Sequence, residues 1–155
     1  MRTAEQWLAE YGDSHRHPVN KLLHWICVPA IVLAVAGLLW SIPVPAAFAA
    51  LSPWVNFGTL AGALAILWYL RLSPPLAAGI TVAFVVMFAA VAALDSLPWP
   101  LWRSCGAIFV VAWIGQFIGH AVEGRRPSFF KDLQFLLVGP MWLVSFLYRR
   151  LHLAR

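Results

Sequence analysis

Five long apolar segments, at about 24–42, 54–70, 76–94, 104–121 and 133–148, occupy most of this chain and leave little room for anything but membrane helices. Each approaches the roughly 20 residues that an α-helix needs to cross a hydrocarbon layer. The breaks between them are "SIPVPA" at 41–46, "RLSPP" at 71–75 and "DSLPWP" at 95–100, whose prolines and small polar residues mark loops. No segment reads convincingly as a strand. The expected fold class is all-α, a polytopic membrane helical bundle formed by a single domain over 1–155. "TAEQWLAEYGDS" at 3–14 precedes the bundle as a short amphipathic helix, with Trp7, Leu8 and Tyr11 on one face.

Composition agrees. Apolar residues make up 62% and charged residues 11% of the chain, against about 45–50% and about 25% in soluble domains. Mean hydropathy is +0.78. Trp25, Trp40, Trp54, Trp99 and Trp102 stand at the edges of apolar runs, where membrane interfaces favour tryptophan. The polar opening lacks the apolar core and small-residue cleavage site of a signal peptide, so 24–42 is expected to be a span. The net charge of +5 comes from basic residues that alternate with the spans. That is the positive-inside pattern of a membrane protein, and no nucleic-acid partner is expected.

Charge also orients the chain. With the N-terminus in the cytoplasm, Arg2, Arg16, Lys21, Arg71, Arg125, Arg126 and Lys131 fall inside and Arg103 outside. A fifth crossing would carry Arg149, Arg150, His152 and Arg155 to the wrong side. Segment 133–148 is also short and interrupted by Pro140. Four full spans are therefore expected, with a fifth segment that is re-entrant, interfacial or, as the weaker reading, spanning. Cys27 and Cys105 open the first and fourth spans at opposite faces, too far apart for a disulfide. Gly58/Gly62 and Gly115/Gly119 form two G-x-x-x-G pairs that can bring helices close.

This topology unites two polar clusters at one membrane face, "HRHPVNKLLH" at 15–24 and "QFIGHAVEGRRP" at 116–127. Asn20 and His24 share a helical face, four residues apart. Gln116, His120 and Glu123 form a stripe at the inner end of the fourth segment. Ionisable groups in spans usually face the bundle interior and often mark function. Several histidines with one carboxylate suit iron or zinc. Glu123 is either a ligand or an acceptor that orients an imidazole. Arg125 and Arg126 can dock a substrate carboxylate or an anionic headgroup, or simply serve as positive-inside charges.

"YGDSHRHPVNKLLHWICVP" and "WIGQFIGHAVEGRRPSFF" resemble paired motifs of the Mpo1-like family, over nearly the whole chain from about Trp7 to Leu147. The resemblance implies a non-haem Fe(II)-dependent dioxygenase that converts 2-hydroxy fatty acids to fatty acids one carbon shorter. O2 would be co-substrate, and no nucleotide cofactor would be needed. The family's essential histidines match His15, His24 and His120, which implies that these three hold the metal, with Glu123 or His17 as further candidates. Tyr11, Asn20, Gln116 and Glu123 would support them. His17 departs from the Asn of the family's characterised fungal enzyme. The spacing from His120 to Glu123 is one residue shorter than in that enzyme. Membrane lipid and a 2-hydroxy fatty acid or related lipid acid are the implied partners, and a homo-oligomer is open. An Ala-rich, Arg-dominated sequence reads as bacterial, with the histidines at the cytoplasmic face of the inner membrane; a eukaryotic setting would place it in the endoplasmic reticulum. The alternative is a non-enzymatic membrane protein with a structural zinc site, or a small lipid- or ion-handling component.

Overall fold

The structure is a computed structural model that describes residues 2–12, 16–124 and 135–152. These residues form seven helices and no strand. In chain order they are α1 (Ala4–Gly12), α2 (Pro18–Trp40), α3 (Ala46–Ala49), α4 (Phe57–Leu72), α5 (Pro74–Asp95), α6 (Leu101–Glu123) and α7 (Val138–Arg150). Helices α2, α5 and α6, with 23, 22 and 23 residues, are long and apolar enough to cross a membrane. The expected four full spans are thus met by three helices. At 16 residues and 1.5 Å per residue, α4 is about 24 Å long, short of the roughly 30 Å of hydrocarbon.

Local chemistry sets the helix ends. Helix α2 starts six residues before the apolar run at 24, because Pro18 occupies its first turn and the His17 ring accepts the Val19 N–H at 3.2 Å. His24 is therefore well inside a helix. Asn56 and Thr59 form a reciprocal capping box at the start of α4. Helix α6 stops at Gly124, whose left-handed φ of 73° suits glycine.

The main helices pack as antiparallel neighbours. Gly58 at the start of α4 lies against Ala36 and Trp40 at the end of α2. Gly115 and Gly119 of α6 lie against Cys27 and Asn20 of α2. Both G-x-x-x-G pairs thus sit at close helix contacts. At Gly119 an added methyl would collide with Asn20 Oδ1. The outward faces are aliphatic: Val82, Val85, Val86 and Val111 are 66–69% exposed, as expected where lipid is the solvent.

Helix α7 turns back within the bundle. Its first turn lies beside Val28 and Tyr11, and Pro140 lines the same space as Met87, thirteen residues along α5 from Pro74. That places its start roughly 15–20 Å from the end where α5 begins. Its last turn is back at that end, where Tyr148 Oη donates to the Pro75 carbonyl at 2.9 Å. Arg149 and Arg150 therefore emerge at the same end of the bundle as Arg71, Lys21 and Arg16, while Arg103 lies at the opposite end. Helix α7 does not traverse the bundle.

Tyr69 pins the entry to α7. It is 1% exposed, and its hydroxyl donates to the Leu137 carbonyl at 2.6 Å. A hydrogen bond of this kind contributes about 0.5–1.5 kcal/mol net. Tyr69→Phe is expected to lower stability by that amount, read as a reduced unfolding midpoint in detergent with unchanged helix content. An unchanged midpoint would show that this bond does not secure α7.

Candidate functional site

Five polar or charged residues are buried among those described: Asn20, His24, Gln116, His120 and Ser145. The first four come from the two sequence clusters, and all four lie on facing ends of α2 and α6. The antiparallel packing brings them together because α2 begins where α6 ends.

The His24 and His120 rings are edge-to-face, with centroids 5.3 Å apart. With metal–nitrogen bonds of about 2.1 Å, two imidazole centroids on one ion stand roughly 4.5–5.3 Å apart. The observed spacing falls at the upper end of that range. His24 Nδ1 lies 3.0 Å from the Asn20 carbonyl oxygen. A carbonyl only accepts, so Nδ1 carries a proton, and in the neutral ring Nε2 is the nitrogen with a free lone pair. Fixing one ring nitrogen in this way orients the other as a ligand. Among the described residues no three His, Cys, Asp or Glu side chains gather as a metal-holding group. His15 lies outside the described residues, as do Arg125 and Arg126.

Glu123 ties the two helices. Its Oε1 accepts the Arg16 N–H at 2.8 Å, and its Oε2 accepts the His17 N–H at 2.9 Å and Asn20 Nδ2 at 3.0 Å. A carboxylate here meets the unsatisfied N–H groups and the positive end of the α2 dipole. Helix α6 thus supplies a cap for α2, and both Glu123 oxygens already accept hydrogen bonds. His17 is itself the N-cap of α2, through its ring nitrogen.

A cavity of about 30 Å³ opens beside His24, lined by Tyr11, Gln116, Trp113 and Leu136 among others. That is room for about two water molecules. Tyr11 is buried and braced by ring contacts with His24, Phe135 and Trp142 at 5.6–6.2 Å between centroids. Residues 135–139, at the start of α7, therefore close the site on the side that α2 and α6 leave open. Trp113, Phe135, Leu136 and Gly139 escaped sequence reasoning because apolar wall residues carry no chemical mark. The only hint was Pro140, which interrupts the fifth apolar segment.

Against this geometry the comparisons with known proteins are specific. The family model described as "2-hydroxy-palmitic acid dioxygenase Mpo1-like" matches residues 1–151. The chain belongs to the Mpo1-like family. A curated relative of this Mpo1-like protein is the 2-hydroxy-palmitic acid dioxygenase MPO1 of Saccharomyces cerevisiae, 26% identical over 145 residues that cover 92% of this chain and 78% of the relative. No solved structure matches the chain.

Replacing Glu123 separates its capping role from simple helix packing. Glu123→Gln keeps one acceptor oxygen and turns the other into a donor facing N–H groups. The expected outcome is a loss of about 1–3 kcal/mol and hydrogen exchange of the Arg16 and His17 amides faster by about tenfold or more. Unchanged exchange at those two amides would show that Glu123 does not hold the start of α2.

Proposed function

We propose that this protein is a non-haem Fe(II)-dependent dioxygenase that converts 2-hydroxy fatty acids to fatty acids one carbon shorter, with its site at the cytoplasmic membrane face. The observation that carries the reading is the His24–His120 pair, two buried imidazoles at the spacing of a shared metal in a chain of this family. The relative's name gives the substrate class. His24 and His120 would hold the iron, joined by His15 from the segment just before α2. Bound Fe(II) supplies the redox chemistry with O2 that cleavage between C1 and C2 requires.

The chain's own residues do the remaining work. The Asn20 carbonyl fixes the His24 tautomer. Glu123 anchors the start of α2 against α6. Tyr11 and Trp113 narrow the cavity beside the His24 imidazole and limit water. Arg125 and Arg126 attract the substrate carboxylate toward the basic end of the bundle. No nucleotide cofactor enters the reaction. In this reading α4 completes a fourth crossing, because α2 and α5 run in the same direction and the chain must return between them. A membrane that thins locally accommodates its length.

The test combines metal and product. Protein purified without chelator is expected to hold about one iron per chain. With Fe(II), O2 and 2-hydroxypalmitic acid it should yield pentadecanoic acid by mass spectrometry. His24→Ala and His120→Ala should each lose both iron and product, while Arg126→Ala should raise KM with iron retained. Tightly held zinc without turnover, in folded protein, would instead favour a structural metal site.

A further inference from the structure

Three spaces adjoin α2, the first two side by side at the level of residues 24–32 and the third farther along at 32–39. The small cavity beside His24 is also lined by Val28. Val28 and Val32 line a second space of about 220 Å³ between α2, α5 and α7. Val32, Val35 and Leu39 line a third, of about 230 Å³, between α2, α4 and α5. Positions 24, 28, 32, 35 and 39 recur in steps of four and three, so they share one helical face. Phe84, Met87 and Pro140 line both larger spaces.

Helix α7 begins only part-way into the bundle, so among the described residues no fifth helix fills the third space at its tip, while the second runs alongside Leu143, Val144 and Leu147. Interiors pack to crystal-like density, and an engineered cavity of about 150 Å³ already takes benzene. Ala61 and Ala65 of α4 line the far space and leave it open.

We propose that these spaces form a trough for the acyl chain of the substrate, with its carboxyl end at His24 and its methyl end beside Leu39 and Ala61. The assignment rests on the 2-hydroxy fatty acid reading above. From His24 to Leu39 is 15 residues, about 22 Å along the helix. A staggered hydrocarbon chain with bonds of about 1.5 Å advances roughly 1.3 Å per carbon, so the trough accommodates about seventeen carbons. The polar end discriminates against ordinary membrane lipid. Room for about two waters suits a carboxyl or hydroxyl group, not a glycerophosphate headgroup.

Two photoreactive 2-hydroxypalmitic acids test this in lipid nanodiscs, one with a diazirine near the methyl end and one with it at mid-chain. Labels are mapped by mass spectrometry, with unlabelled 2-hydroxypalmitic acid as competitor and turnover of the same probes measured alongside. The methyl-end probe is expected to label residues 35–39 and 57–65, and the mid-chain probe the region of Val32 and Met87, both suppressed by competitor. Ala61→Phe, which fills the far space, should reduce methyl-end labelling by about tenfold while sparing the mid-chain label. Ala65→Phe serves as the second variant should Ala61→Phe fail to fold. Turnover together with labels spread over the lipid-facing valines would overturn the trough and leave the activity standing. Neither turnover nor suppressible labelling would overturn the activity, and the trough with it.

Discussion

The structure depends on the seam between α2 and α6. Gly115 and Gly119 let the two helices approach until Cys27 and Asn20 fill the space that side chains would otherwise occupy. Asn20 is completely buried there, and its side-chain amide donates to Glu123. Buried polar groups in a membrane protein are costly unless satisfied, so this contact fixes the register of one helix against the other. Because α2 begins where α6 ends, the same register places His24 opposite His120. A slip of one residue would rotate each imidazole about 100° from its partner.

The second constraint is the anchoring of α7, which is held near both ends by tyrosine hydroxyls. Tyr69 bonds Leu137 near the tip. Tyr148 bonds Pro75 near the other end. Helix α1 then packs on α7 through Trp7, Leu8 and Tyr11, which closes the histidine pocket from outside. One short helix thus walls the polar site and leaves the apolar space beyond its tip unfilled.

Much of the site was legible because its residues break the pattern around them. His24, Gln116 and His120 stand out in apolar runs, and helical spacing alone put Gln116, His120 and Glu123 on one face. Positive-inside charge then united the two clusters. Other features carried no such mark. The start of α2 at Pro18 was hidden because its first turn is polar and looks like loop. The limited length of α4 was blurred by apolar loop residues around Trp54 and Val55. The return of α7 could not be read from hydropathy, which registers burial in an apolar medium but not direction; the Arg149–Arg150 pair was the better witness. Glu123 had two chemically sound roles, and only the positions of the Arg16 and His17 N–H groups show what its oxygens contact.

The central claim is that α2 and α6 each contribute an imidazole to one metal. X-ray absorption at the iron edge tests it most directly, on iron-loaded wild-type protein and on the His120→Ala variant reconstituted with excess Fe(II). The account predicts imidazole multiple scattering in the wild type that weakens by one ligand in the variant. Iron without imidazole scattering, or a spectrum unchanged by the substitution, would contradict it.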